Sequence, residues 1–177
     1  MDHNHQLISL GFWPGGDRDG NPFVTIDTTR KVAERLRYTI TDCYHQDLVL
    51  LKRRLSFEGV YEKLDALERL LLEDLTNIRG SRQVTREMML ARLWELEQVL
   101  ISQHDSLFLD MLQSFRRKVQ HFGFHFASLD IRQDSRIIEN TFSAVVNLYP
   151  ELFPADFNEL TPEAKIHHLL TIKGRVE

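Results

Sequence analysis

Two short stretches of this sequence concentrate the side chains that handle charged substrates. Residues 10–25 read Leu-Gly-Phe-Trp-Pro-Gly-Gly-Asp-Arg-Asp-Gly-Asn-Pro-Phe-Val-Thr, with both charge signs set among glycines and prolines. Gly15, Gly16 and Gly20 permit positive φ or close backbone approach, and Pro14 and Pro22 stiffen the flanks. Asp17, Arg18, Asp19 and Asn21 are then left to contact one another or a ligand. The second stretch, Leu129-Asp130-Ile131-Arg132-Gln133-Asp134-Ser135, places a carboxylate and a guanidinium two residues apart. On extended backbone Asp130 and Arg132 share a face. Arginines so placed can bind an anion, here with Arg18 and Arg132 as the donors. The competing reading of the second stretch is an ion pair tying down a strand end.

Other chemistries fail on spacing. Aligning Gly20 with the invariant glycine of a calcium loop puts Gly15 and Ile26 at the first and last ligand positions, where carboxylates are required. A nucleotide loop needs G-x-G-x-x-G or G-K-[ST], and neither occurs. The glycine stretch can instead be a tight helix-entry turn held by an internal Asp–Arg network. His121 and His125 stand four apart, but the pattern between them changes from helical to extended, and the pairs His3/His5 and His167/His168 lack a third ligand of suitable spacing. Cys43, the single cysteine, forms no internal disulfide and reads as a small buried apolar residue in a reducing compartment.

The elements that must position these residues are mostly helices. Thr25 caps a long one, with Val32, Leu36, Ile40, Cys43, Leu50 and Leu51 approximating one face up to Leu55. Ser56 precedes a second, with Val60, Leu64, Leu67, Leu71 and Leu75 inward and a stop at Asn77–Ser81. Thr85 caps a third through Met89, Leu93, Leu96 and Leu100, with Glu95 and Glu97 expected in solvent; a fourth follows Asp105 through Phe108, Leu112, Phe115 and Val119. From Phe122 to Ile131 the nearly continuous apolar and small residues predict a buried strand whose second face turns polar at Asp130 and Arg132. Ser135 is the expected cap of a helix ending at Pro150, and Thr161-Pro162-Glu163 opens a last short helix before Gly174.

The chain has 177 residues, 42% hydrophobic and 27% charged, enough for one globular unit with its own core. A complete eight-stranded α/β barrel needs roughly 250 residues, so any barrel here is partial. A net charge of -4 argues against nucleic acid as a partner. No apolar run is long enough for a membrane span, and Met1-Asp2-His3-Asn4-His5 is not a signal-peptide start, so the expected location is the cytoplasm.

The string Gly15-Gly16-Asp17-Arg18-Asp19-Gly20-Asn21-Pro22, followed by Val24-Thr25 and a long helix, resembles the G-G-D-R-D-G-N-P signature of phosphoenolpyruvate carboxylases. Leu129–Ser135 resembles that family's L-D-I-R-Q-[ED]-S segment. The helical insert between them also fits, so the resemblance runs from residue 7 to about 173. The sequence departs from the family pattern at Pro14, where Trp-Met is more usual, and at Ile138, where a histidine often stands.

The resemblance implies a mainly α chain: a helical fragment of a larger α/β-barrel enzyme, with one or two barrel strands, around 122–132 and at 7–13. Its parts would be a strand and glycine loop over 1–24, a helical insert over 25–121, and a strand followed by helices over 122–177. The family is cytoplasmic and usually homotetrameric, uses Mg²⁺ or Mn²⁺, and converts phosphoenolpyruvate and bicarbonate to oxaloacetate and phosphate through carboxyphosphate and an enolate. By resemblance Arg132 is catalytic and belongs to the substrate-phosphate group, with Arg18 and Gln133 as further substrate contacts. Asp130 would orient Arg132, while Asp17, Asp19 and Asn21 support the neighbouring loop. The family's T-A-H-P-T and H-G-R-G-G strings do not occur here, which implies an internal piece, inactive alone, without its own metal site and prone to self-association through the strand. The alternative is a non-catalytic helical interaction module in which the strand is a helix continuation.

Overall fold

The computed structural model describes residues 10–76 and 84–173. Helix α1 spans Ile26–Arg54. Thr25 is extended and its hydroxyl accepts the Thr28 N–H, while Asp27 in the first turn and Lys52, Arg53 and Arg54 in the last suit the helix dipole. Helix α2 (Tyr61–Thr76) buries Leu64, Leu67 and Leu71, and its Glu62 carboxylate reaches back to the Gly59 N–H at 2.9 Å. The expected stop at Asn77–Ser81 lies outside the described residues. Helix α3 (Arg86–Gln103) is capped by Thr85, as its sequence predicts.

Helix α4 (Leu109–Phe122) starts later than Asp105 because Asp105, Ser106 and Phe108 all take positive φ in the turn ahead of it. Helix α1 packs on α2 and α4, and α3 packs on α4 and α2. They enclose one apolar core in which Leu48, Leu64, Met89, Leu93, Leu112 and Val119 are fully buried. The phenol of Tyr44 sits in it, edge-on to Phe115 and Phe124, and donates to the Gly123 carbonyl at 2.7 Å. Burial pushes that phenol well above its ordinary value.

Some positions of the bundle differ from expectation. Cys43 is exposed, because the buried face of α1 follows Ile40, Tyr44, Leu48 and Leu51, and Leu50 is likewise outside it. Glu97 is buried rather than solvated, because α4 brings the Arg116 Nε to within 2.6 Å of its carboxylate.

The strand expected over Phe122–Ile131 is much shorter. Phe122 ends α4, Gly123 (φ 53°) turns the chain, and Phe126 (φ 66°) turns it again. Only Ser128–Leu129 is strand, β2, paired in parallel with β1 (Gly11–Phe12), Gly11 opposite Ser128 and Phe12 opposite Leu129. The apolar run has another cause: Phe124 is packed into the bundle against Tyr44, whereas Phe126 remains 40% exposed. Of the second expected strand, 7–13, residues 7–9 lie outside the described set.

Helix α5 (Ser135–Leu148) is capped by Asp134 rather than Ser135. After it, a 3₁₀ turn (Phe157–Glu159) and helix α6 (Pro162–Thr171) form a small second core around Val146, Phe153 and Phe157. Pro162 stands in the first turn of α6 with Thr161 as its cap, as expected. The described residues are mainly helical with two short parallel strands.

Candidate functional site

Parallel pairing of β1 with β2 sets the two chemistry-bearing stretches side by side. Ser128 N–H donates to the Leu10 carbonyl at 3.0 Å and Asp130 N–H to Phe12 at 2.9 Å. The first chain then detours through Trp13–Gly15, closed by a Gly16 N–H to Trp13 carbonyl bond of 2.9 Å, and pairing resumes. Arg132 N–H donates to Gly16 and Arg18 N–H donates to Arg132, both at 3.0 Å, which makes Asp17 and Arg132 partners in a parallel bridge. A Cβ on Gly16 would collide with the Asp130 carbonyl oxygen, so close approach is what this glycine supplies.

Arg132 is fixed at its main chain and open at its head. Its side chain is 67% exposed, and Nη1 lies 3.9 Å from the Asp17 Oδ2, too far for a hydrogen bond. The guanidinium is therefore biased by charge yet keeps its donors for an incoming oxyanion. The other Asp17 oxygen, Oδ1, accepts the Asp19 N–H at 3.3 Å. Asn21 Oδ1 accepts the Phe23 N–H at 3.1 Å in an Asx turn, and Gly20 takes φ 71° between these two turns.

Three expected site residues stand differently from the role assigned to them. The carboxylate set against Arg132 belongs to Asp17, whereas Asp130 Oδ2 would lie 3.0 Å from a Cβ at Gly11 and so covers β1. Gln133 turns its side-chain oxygen to the Asp134 N–H at 3.3 Å. Arg18 is engaged with α1: its Nη2 donates to Thr29 Oγ1 at 3.0 Å and its Nε is buried without a hydrogen-bond partner.

Sequence reasoning passed over Thr29 and the pair Asp134–Arg136. Thr29 is buried, and its hydroxyl donates to the Gly15 carbonyl at 2.7 Å. The signal for it was a polar residue filling a place in the stripe that continues through Val32 and Leu36. Asp134 caps α5 by accepting the Arg136 N–H at 2.8 Å and takes both Nε and Nη2 of that arginine, at 3.1 and 2.7 Å. Arg136 holds the Asp134 carboxyl below its usual range.

Among the described residues no three His, Cys, Asp or Glu side chains converge on a point that could hold a metal ion. The Mg²⁺ or Mn²⁺ that the resemblance implies has no ligand set among them. None of the described helices is long and apolar enough to cross a membrane.

The family model described as phosphoenolpyruvate carboxylase matches residues 1–89 and 74–175. A phosphoenolpyruvate carboxylase of Shewanella loihica is 35% identical over 164 residues, covering 73% of this chain and 18% of that protein. The Shewanella sediminis enzyme of that name is 31% identical over 195 aligned positions, covering 92% of this chain and 21% of its own length. One from Bradyrhizobium diazoefficiens is 28% identical over 179, covering 80% and 19%. This chain thus spans about a fifth of the length of the curated relatives it matches. With the family match extending across both the glycine turn and the Arg132 segment, the chain belongs to the phosphoenolpyruvate carboxylase family.

Proposed function

We propose that this chain supplies the arginine corner of a carboxylase active site, in which phosphoenolpyruvate and bicarbonate give oxaloacetate and phosphate. The observation that carries the reading is the Arg132 backbone, bonded to Gly16 on one side and Arg18 on the other, with its guanidinium left exposed beside Asp17. Two signature strings far apart in the chain are thereby joined at one strand edge.

The chemistry explains why a guanidinium on an anchored main chain is useful there. When bicarbonate attacks the substrate phosphorus, negative charge builds on the phosphoryl oxygens while the enolate departs. A donor already oriented toward those oxygens lowers the barrier without reorganising as the charge develops. Arg132 would bind the phosphoryl group, Asp17 would direct Arg132, and Gly16 would permit the approach of the two chains. The proposal includes the Mg²⁺ or Mn²⁺ requirement, cytoplasmic location and homotetrameric assembly of the family, with the metal held by residues other than those described.

These 177 residues by themselves are expected to give no phosphoenolpyruvate-dependent oxaloacetate, since the described residues hold no metal ligand set and the family's T-A-H-P-T string does not occur in the sequence. The decisive test is Arg132→Ala in the carboxylase polypeptide that carries this segment. It should lower kcat by a factor of about 10² to 10³ while the thermal midpoint stays put. Unchanged turnover would refute the assignment and favour a helical interaction module.

A further inference from the structure

We propose that Thr29, one turn into α1, is a positioning residue for Arg132, acting through the glycine turn; this rests on the reading of Arg132 as the substrate-phosphate contact. Thr29 is buried, and its hydroxyl joins two parts of the turn, donating to the Gly15 carbonyl at 2.7 Å and accepting from Arg18 Nη2 at 3.0 Å. The residues so held are neighbours of the groups that grip Arg132: the Gly16 carbonyl accepts the Arg132 N–H, and the Arg18 N–H donates to the Arg132 carbonyl.

The turn is also pressed between α1 and the strand end. A Cβ on Gly15 would meet the Val32 side chain at 2.5 Å, and one on Gly16 would meet the Asp130 carbonyl. A loop confined on both faces transmits a change at its anchor rather than absorbing it.

Arg18 thereby acquires a role other than substrate contact. Its head group is turned to Thr29 through Nη2, the hydrogen bond that holds it in a place where Nε is buried without a partner. A single hydroxyl on the helical insert thus sets where the turn sits, and the turn sets the main-chain position and bias of Arg132.

The test is a mutant cycle measured as kcat/KM for phosphoenolpyruvate in the carboxylase polypeptide that carries this segment, with thermal midpoints recorded for every variant. Thr29→Val keeps the shape and removes the hydroxyl; it should cost about tenfold in kcat/KM, and Thr29→Ser should restore most of it. In an Arg132→Ala background Thr29→Val should cost no more than about twofold, because the residue through which it acts is gone. Equal losses in both backgrounds, or a loss that Thr29→Ser fails to restore, would overturn the proposal in favour of a merely structural threonine. If Arg132→Ala itself leaves turnover intact, it is the parent reading that fails. Should Thr29→Val not fold, Arg18→Met takes its place: a selective loss in the Arg132 background supports the proposal, and no loss overturns it.

Discussion

Asp17 and Arg132 occupy facing positions of one parallel bridge, yet their charged ends stop 3.9 Å apart, with the arginine side chain 67% exposed. An exposed pair at that separation is worth about 1 kcal/mol at most and is weakened by salt. Asp17 therefore steers the guanidinium without capturing it, the balance that the proposed role of Arg132 as the phosphoryl contact calls for. Asp17→Asn in the intact enzyme should lower kcat/KM for phosphoenolpyruvate by up to about fivefold and leave the thermal midpoint within a few degrees. The deficit relative to wild type should shrink as ionic strength rises. Steady-state kinetics at low and high salt check both statements, and a deficit that grows with salt would contradict them.

Gly16 and Gly20 are required for different physical reasons, and alanine separates them. At Gly16 the obstacle is space, since the added Cβ runs into the Asp130 carbonyl. At Gly20 there is nothing within 4 Å, and the cost is only the left-handed backbone, φ 71°. Gly20→Ala should cost about 1 kcal/mol, reduced in Gly20→Asn, which tolerates that conformation. Gly16→Ala should cost about 1–3 kcal/mol and displace Arg132 as well, abolishing most activity. Urea unfolding combined with turnover measures the pair; equal behaviour of the two alanine variants would dispose of the distinction.

What could be read from the sequence follows from how local the responsible physics is. The caps Thr25 and Thr85, the opening of α6 at Thr161-Pro162 and the Leu64, Leu67 and Leu71 stripe of α2 depend on residues within a turn or two, and these are found where their patterns place them. The signature strings likewise pointed to one neighbourhood. Partners that arrive from elsewhere in the chain were not legible. Glu97 is buried only because α4 delivers Arg116, and Thr29 matters only because the glycine turn folds back over α1. The length of β2 was misjudged because Phe124 is apolar for the sake of the bundle core and not of a strand.

That last difference is directly testable, since strand alternation puts Phe124 and Phe126 in equivalent positions and the structure does not. Phe124 is 3% exposed, edge-on to Tyr44 and with the Arg37 guanidinium over its ring. Phe126 is 40% exposed and stacks on Phe122. Phe124→Ala should destabilise the bundle by about 3–5 kcal/mol, whereas Phe126→Ala should cost about 1 kcal/mol or less. Similar losses in denaturant unfolding would restore the long strand.

At the far end of α1, Lys52 ties the helix to α2 through Asp65 at 2.6 Å and Glu68 at 2.5 Å. The hydrogen bond from Lys52 is the largest influence lowering the Asp65 carboxyl, and the bonds to Asp65 and then Glu68 raise the lysine. Asp65 therefore contributes stability that is present above the ordinary carboxylate value and lost as pH falls through its lowered folded value. Lys52 contributes stability that is present below the ordinary lysine value and lost only as pH rises through its raised one. Lys52→Met should lower the thermal midpoint at neutral pH, with the gap to wild type narrowing in acid as Asp65 protonates and persisting past pH of about 10 in alkali. Thermal melts across pH report the gap directly. If it stayed constant into acid, the lysine would be acting through its packing over the Tyr61 ring, 5.1 Å away, rather than through its carboxylates.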